Sequence, residues 1–560
     1  MTKYSVLSRI GLGGVACLLG GMLVAPAQAA SIPRGGTLVY VSAWGTLEQG
    51  RNFNPFLPNG SNLPGTFSLL YEPLFYVSTA TGQVHDILGT QYRWSDHNLK
   101  LTVTTRSGVQ WSNGTPFTAK DVAFTFNYIK KYPALDLSGI WSHSGLQSVT
   151  APNDHSVVFR FSKPNTPLFP FLAGTQIVPR ALWKGITDPS HYANPNPVGT
   201  GPFLFKGQLS LQSVTYVRNP HFWMAGRPYL HAVRFQAVAS NGAAELAVLK
   251  GAADFTYDGI TDVTKTFAAR NPAIYHFYWP VNSQNVLYLN TQAYPLNLVS
   301  LRRAIAMALK KSVLAQKAYF GAIAPANAAG IYQTQASKWM NSAIEAASYH
   351  YHPNQAKALL KKAGFTWNSS GRLVAPNGKE VPSYQILVGA GWTDFITMAS
   401  LISHDLHKLG ISASVQQEPY SSYESTLTSG SYRMAISWVG DTGPNPYYMY
   451  YGAFSPQFSA SKTGQTAVSD WERYTNPTIT AALAAFRKTS SLAAQRKDIT
   501  AIAKVVESQV PIIPLTQRVN FLDYSTAKFV GWPSSKDPYN GGSPGDGLGS
   551  WYDYLNVHLK

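Results

Sequence analysis

Strand and helix patterns alternate along this 560-residue chain, and the fold class they predict is α/β. Two stretches carry that expectation. Residues 384–388, 395–409 and 411–415 read as strand, helix and strand, a β-α-β unit. Residues 108–131 read as a turn, a capped helix start and a helix. Ser112-Asn113-Gly114 after Trp111 supplies a turn that tolerates positive φ. Thr118 is the N-cap, and Asp121 three residues on adds negative charge to the first turn. Val122, Phe124, Phe126 and Ile129 give the helix its apolar face.

The remaining elements follow in chain order. Gly35-Gly36 leads into a β-branched and aromatic strand at 37–42, and residues 99–104 and 156–161 repeat the strand pattern. Residues 243–250 have helical periodicity that Gly251 ends. A strand at 285–290 precedes a helix capped by Ser300, with Leu301, Ala304, Ile305 and Ala308 on one face. Residues 353–363 form a helix with Pro353 at its start, Gly364 at C′, and a buried stripe of Ala356, Leu359, Leu360 and Ala363. Residues 434–438 read as a buried strand and 496–509 as a helix. The Gly-rich run at 196–203 lacks G-x-x-x-x-G-K-[ST], so it predicts no nucleotide site.

Length allows two or three domains and a large core. Residues 1–29 read as a secretory signal: Lys3 and Arg9 make a positive start, 10–24 an apolar core, and Ala27-Gln28-Ala29 a small-residue cleavage site. Cys17 is the one cysteine. Its preceding Gly14-Val15-Ala16 and the apolar run continuing to Val24 place it inside the discarded leader rather than at a lipoprotein site. The mature chain then has no disulfide and no cysteine-ligated metal. Net charge is +18, or +16 without the leader, yet only 13% of residues are charged. The chain is acid-poor more than it is basic. Its Lys and Arg are scattered rather than clustered, which argues against a nucleic-acid partner. Few carboxylates also means few native interactions that fail on protonation, so acidic surroundings are expected.

The run WSNGTPFTAKDVAFTF at 111–126 resembles the signature of the family 5 solute-binding proteins, the peptide-type extracytoplasmic receptors of ABC importers. Asn52-Phe53-Asn54-Pro55-Phe56, Tyr71-Glu72-Pro73-Leu74, Ile177-Val178-Pro179-Arg180, Asn219-Pro220-His221-Phe222-Trp223 and the run at 510–515 match further landmarks, so the likeness covers nearly all of 36–540. One departure is Lys310-Lys311, where relatives usually carry an acid. The resemblance implies a two-lobed α/β periplasmic-binding-protein fold (type II, cluster C) with a small lobe inserted early. Lobe I takes 30–66, 200–284 and 518–560, the small lobe 67–199, and lobe II 285–517. It also implies a monomeric periplasmic receptor with no cofactor. Such a receptor traps its ligand between lobes and delivers it to permease subunits, while separate ATPase subunits hydrolyse ATP.

The ligand must come from the site. Residues 391–395 (GWTDF), 470–474 (DWERY), 529–533 (FVGWP) and 278–280 (YWP) after Ser240-Asn241 resemble the cello-oligosaccharide and β-glucoside branch. A sugar cleft needs flat aromatics beside Asn, Asp and amide groups, and the chain has 14 Trp, 32 Tyr and 26 Phe to supply them. Most of these are core residues in any α/β protein. Trp392 is the first candidate stacking platform, with Asp394 beside it; Trp438, Trp44 and Asn54 follow. Asp441, in Trp438-Val439-Gly440-Asp441, matches the aspartate that pairs with a peptide's α-amino group in the peptide receptors. It equally suits a sugar hydroxyl, or a cap on the turn at Gly443. Oligosaccharide is the first expectation and oligopeptide the alternative. His350 and His352 have no acidic partner nearby and read as a surface pair, not a metal site. A secreted glycoside hydrolase would need two facing carboxylates, for which Asp394 and Asp441 are the candidates. The chain has no H-E-x-x-H, and whole-chain likeness to a non-catalytic family favours the receptor.

Overall fold

Three sheets organise the chain in a computed structural model that describes residues 32–58, 60–78, 83–142, 144–439, 443–489, 491–539 and 549–560. The leader with Cys17, and Asp441, lie outside the described residues. Residues Pro33–Lys560 pack as one unit. Lobe I is built on a seven-stranded sheet in the order Tyr275–Phe277, Asp523–Ser525, Phe255–Thr256, Thr37–Ser42, Ala232–Ala237, Ser213–Arg218, Phe203–Leu209. Lobe II is built on a five-stranded sheet in the order Ala413–Glu418, Tyr384–Gly389, Met434–Trp438, Val281–Leu289, Ile512–Val519. A four-stranded antiparallel sheet, Gly89–Ser95 to Ser156–Phe161, forms the small lobe.

The chain passes between the two large sheets twice, after Phe277 and after Val519. The two passages hold each other. Tyr278 N donates to Leu522 O at 2.8 Å, Asn520 N donates to Pro280 O at 2.9 Å, and Trp279 Nε1 donates to Asp523 Oδ1 at 2.9 Å. Trp279 is therefore fixed at the hinge.

Local signals were followed closely where the partners are local. Thr118 and Asp121 form a reciprocal capping box on the helix Ala119–Lys131. Val122 and Phe126 pack into the small-lobe core, while Ile129 and half-buried Phe124 pack toward lobe I. The β-α-β unit appears with shifted ends: the helix is Thr393–His407 and its second strand Ala413–Glu418, because Ile411 turns back to bond Leu406 O and plugs the core. Ser300 does not cap its helix. The helix Val299–Ala308 starts two residues earlier than a Ser300 cap would set it, continuing a turn already formed when Leu298 N bonds Pro295 O. The predicted buried face of that helix is present in full. The helix predicted at 243–250 is Asn241–Leu249, capped by the Ser240 hydroxyl on Ala243 N. The helix predicted at 496–509 begins earlier, as Leu492–Gln509.

One family landmark, at 71–74, and the Gly-rich run at 196–203 turn out to be packing devices. Glu72 is fully buried and accepts the indole N–H of Trp223 at 3.0 Å and of Trp551 at 2.9 Å. The Gly-rich run packs on the π-turn Thr66–Leu70. A Cβ at Gly199 would lie 1.8 Å from Leu70 O, and one at Gly201 2.3 Å from Leu69 O. Backbone cannot yield as a side-chain tip does, so Gly199→Ala is expected to cost about 3 kcal/mol or more, read as a lower urea midpoint and a lower yield of folded protein.

Candidate functional site

The two large sheets point the carboxyl ends of their parallel strands at one seam. Thr37–Ser42 runs parallel to Ala232–Ala237 and Phe255–Thr256; Tyr384–Gly389 runs parallel to Ala413–Glu418 and Met434–Trp438. In open α/β sheets the crevice beyond these ends is where ligands bind. The loops that leave them touch across the seam. Asn241 N lies 3.4 Å from Gly391 O, and Asn241 Nδ2 donates to Gly259 O at 3.0 Å and to Asp394 Oδ1 at 3.4 Å. Gly391 approaches so closely that a Cβ there would meet Ala239 O at 2.4 Å. Farther along, Ser421 Oγ donates to Glu48 Oε2 at 3.3 Å.

Trp392 sits at the N-cap position of Thr393–His407. Its ring lies flat on Gly389, where a Cβ would come within 2.5 Å of it. Around the half-buried indole stand Tyr423 at 5.1 Å, Phe395 at 5.5 Å, and Tyr420 and Trp438 each at 6.0 Å between ring centres. Trp438, at the end of the neighbouring strand, carries the Arg518 guanidinium over its ring at 4.3 Å. Among the described residues, none forms a hydrogen bond with that guanidinium. Two tryptophans and a cation thus occupy one bank of the seam.

Asp394 is buried beside them, at 6% exposure. It accepts the Tyr319 hydroxyl at 2.9 Å, and Tyr319 in turn accepts Asn285 Nδ2 at 3.0 Å. Burial pushes its carboxyl above the ordinary range, while the Tyr319 hydrogen bond and the Arg518 charge pull the other way. Across the seam, burial lifts Asp258 to about 6 against hydrogen bonds from Thr256, Ala43 N and Ser42, and the Asp394 charge adds to the rise. The seam thus joins polar side chains of both lobes.

The other predicted positions divide. Trp44 follows the central strand of lobe I on the opposite bank, half-buried and edge-on to Tyr40 at 5.2 Å. Asn54 is fully buried and commits its side chain to the fold: Nδ2 donates to Pro189 O and Tyr192 O, and Oδ1 accepts Phe56 N. With both amide donors spent and the side chain fully buried, it is not offered to a ligand. The DWERY stretch is buried inside lobe II, with Trp471 against Tyr288 at 5.4 Å. Trp532 of FVGWP stacks on Tyr524 at 5.0 Å within lobe I. Sequence reasoning missed Arg518, Tyr319, Tyr420 and Tyr423. A signal for Arg518 was present: Thr516-Gln517-Arg518 is a polar end on an otherwise apolar strand. His350 and His352 are both exposed.

A two-lobed fold with paired crossings and a polar, aromatic seam is the architecture of a solute-binding protein. The sequence pattern of the bacterial extracellular solute-binding proteins, family 5 middle region, matches residues 83–461. A crystal structure of a periplasmic oligopeptide-binding protein of an ABC transporter from Thermotoga maritima, with mannohexaose bound, superposes with a TM-score of 0.86 at 26% identity, covering 94% of this chain and 98% of that one. The nickel-binding periplasmic protein of Escherichia coli K12 is 26% identical over 399 residues, 68% of this chain and 72% of its own. A putative ABC transporter peptide-binding protein of Brucella ovis is 28% identical over 346 residues, and the chain spans 62% of its length. The chain belongs to the family 5 extracellular solute-binding proteins, substrate-binding components of ABC importers that work outside the cytoplasm.

Proposed function

We propose that this receptor captures a short oligosaccharide of the cello-oligosaccharide or β-glucoside type between its lobes. The observation that carries the reading is the Trp392–Trp438 pair, flanked by Tyr420 and Tyr423 and facing Asn241 of the other lobe. Flat rings take the apolar faces of pyranoses, and Asp394, Asn241 and Arg518 surround them with hydroxyl partners. Trp44 supplies a face from lobe I. The mannohexaose held by the Thermotoga relative supports the same ligand class. In this reading lobe I takes 30–66, 200–284 and 518–560, the small lobe 67–199 and lobe II 285–517. The signal is cleaved after Ala29 with Cys17 lost, and the monomeric mature protein delivers its ligand to permease and ATPase subunits.

A peptide ligand is the second reading, favoured by the Brucella relative's description and by Asp441 as the partner of a peptide amine. The two separate in one experiment. Mature protein is titrated with cello-oligosaccharides and with di- to pentapeptides, followed by tryptophan fluorescence and thermal shift. The expected result is a response to the sugars that Trp392→Ala weakens at least about tenfold. A peptide response lost in Asp441→Asn and kept in Trp392→Ala would overturn the sugar reading.

A further inference from the structure

The helix Tyr420–Ser429 starts on the lobe II bank of the seam and turns one face toward lobe I. Tyr420 reaches Gly60 of lobe I, where a Cβ would lie 3.2 Å from its hydroxyl, while its ring stands 6.0 Å from that of Trp392. Ser421 reaches Glu48 of lobe I at 3.3 Å. Residues three and four apart on a helix share a face. Glu424 is three from Ser421 and four from Tyr420, so it stands on this same face, one turn further along the helix.

The Glu424 carboxyl has no hydrogen bond and no ion pair among the described residues. Each hydroxyl beside it on the helix has one proton to donate and spends it elsewhere. Ser421 donates to Glu48, Tyr423 to Ile436 O at 2.8 Å, and Thr428 to the backbone O of Glu424 itself at 2.8 Å. Burial alone therefore acts on the carboxyl and lifts it to about 7. The side chain is nevertheless only half-buried. A core carboxyl would need a partner, and one on the outer surface would be fully hydrated. Crowded enough to lose water yet open enough to be reached, Glu424 has the surroundings of a cleft wall.

We propose that Glu424 is a ligand-contacting residue of the cleft, its carboxyl accepting hydroxyls of the pyranose that stacks on Tyr420 and Trp392. A carboxylate has two oxygens and only accepts, and neighbouring ring hydroxyls each bring a proton, so one group holds two of them. Hydrogen bonds to a charged acceptor are the stronger kind. The empty protein carries this unpartnered carboxyl at a cost to its stability, and the bound sugar removes that cost. The inference rests on the oligosaccharide reading and adds to it the group that selects for a free pair of hydroxyls.

Native mature protein, Glu424→Leu and Glu424→Gln are compared at about pH 8, where the carboxyl is ionised. Thermal melts are run on the ligand-free proteins, and cellotriose and cellopentaose are titrated by calorimetry. Empty Glu424→Leu is expected to melt above the native protein and to bind both sugars about tenfold or more weakly. Glu424→Gln keeps an acceptor without the charge and is expected to recover part of the affinity. A carboxyl that served only the fold would do the reverse, lowering the melting midpoint of the empty variant and leaving affinity alone. Native affinity in Glu424→Leu, or a lower midpoint in that empty variant, overturns the proposal and leaves the sugar reading standing. Failure of the native protein to bind either sugar overturns both. Should Glu424→Leu fail to fold, native affinity in Glu424→Gln overturns the proposal.

Discussion

Acidification from about pH 7 to about pH 4.5 is expected to raise the melting temperature by roughly 10 °C, the reverse of ordinary acid denaturation. The cause is a set of carboxyls that the fold buries. Burial lifts Glu72 to about 7, Asp258 to about 6 and Glu507 to about 7, and it pushes Asp394, Asp523 and Glu472 upward in the same direction. Among the described residues, Glu472 has both oxygens buried without hydrogen-bond partners, and Glu507 and Asp523 each have one. The neutral acid is the form these places accept. A carboxyl raised in the fold binds its proton more tightly there than in the unfolded chain. Its contribution to stability grows as pH falls through 7 to 6 and is complete below the unfolded value near about 4. Lys311 runs the other way. Burial lowers its amine to about 7, so charging it in acid costs stability. Half-buried His85, which burial also lowers, acts in the same direction, and these two groups stand against the six carboxyls named. At about 1.4 kcal/mol for each tenfold gain in proton affinity on folding, several carboxyls supply on the order of 10 kcal/mol. At roughly 2 cal/mol/K per residue, a chain this long loses about 1 kcal/mol per degree near its midpoint, which gives the stated rise. Calorimetry from about pH 4 to 8 checks it, with Glu472→Gln expected to flatten the curve. A midpoint that falls between neutrality and about pH 4 would sink both this account and the acidic surroundings expected from the acid-poor sequence.

Legibility in the sequence followed the range of the interactions. Thr118 and Asp121 are three residues apart and satisfy each other, so the capping box could be read directly. Ser300 was misread because the turn that starts its helix is set by Leu298 and Pro295 upstream, where no side chain announces it. The site shows the same limit. GWTDF and DWERY have the same ingredients, a tryptophan beside an acid, yet one stands at the seam and the other is buried behind Tyr288. What separates them is the strand end each follows. GWTDF leaves the carboxyl end of a parallel strand facing lobe I, and that fact belongs to the sheet rather than to the motif. Asn54 looked like a polar group offered to a ligand, but its hydrogen bonds run to residues 135 and 138 positions away. Arg518 was missed for the opposite reason. Its significance lies in Trp438 beneath it and Asp394 nearby, neither of which is close in sequence.

Under the oligosaccharide reading proposed above, replacing Arg518 by Met is expected to weaken cello-oligosaccharide binding by about ten- to a hundredfold while leaving the fold in place. The methionine keeps an apolar stem over the Trp438 ring, so lost packing contributes little; what goes is the charge and its donors. That guanidinium is positioned by the ring at 4.3 Å and spends no hydrogen bond among the described residues, which leaves its N–H groups for a ligand's oxygens. It has a second effect through Asp394. The Arg518 charge offsets part of the rise that burial imposes on that carboxyl, so removing it lifts Asp394 further. Where binding needs the Asp394 carboxylate as a hydroxyl acceptor, affinity in the variant is lost at a higher pH than in the native protein as the solution is acidified. Arg518→Lys separates the two effects. The ammonium restores charge and brings the pH midpoint back, but it lacks the planar fork and recovers affinity only in part. Fluorescence titrations across about pH 4 to 8 give both readouts. Native affinity and an unmoved pH midpoint in Arg518→Met would remove Arg518 from the site and leave the aromatic pair to hold the ligand alone.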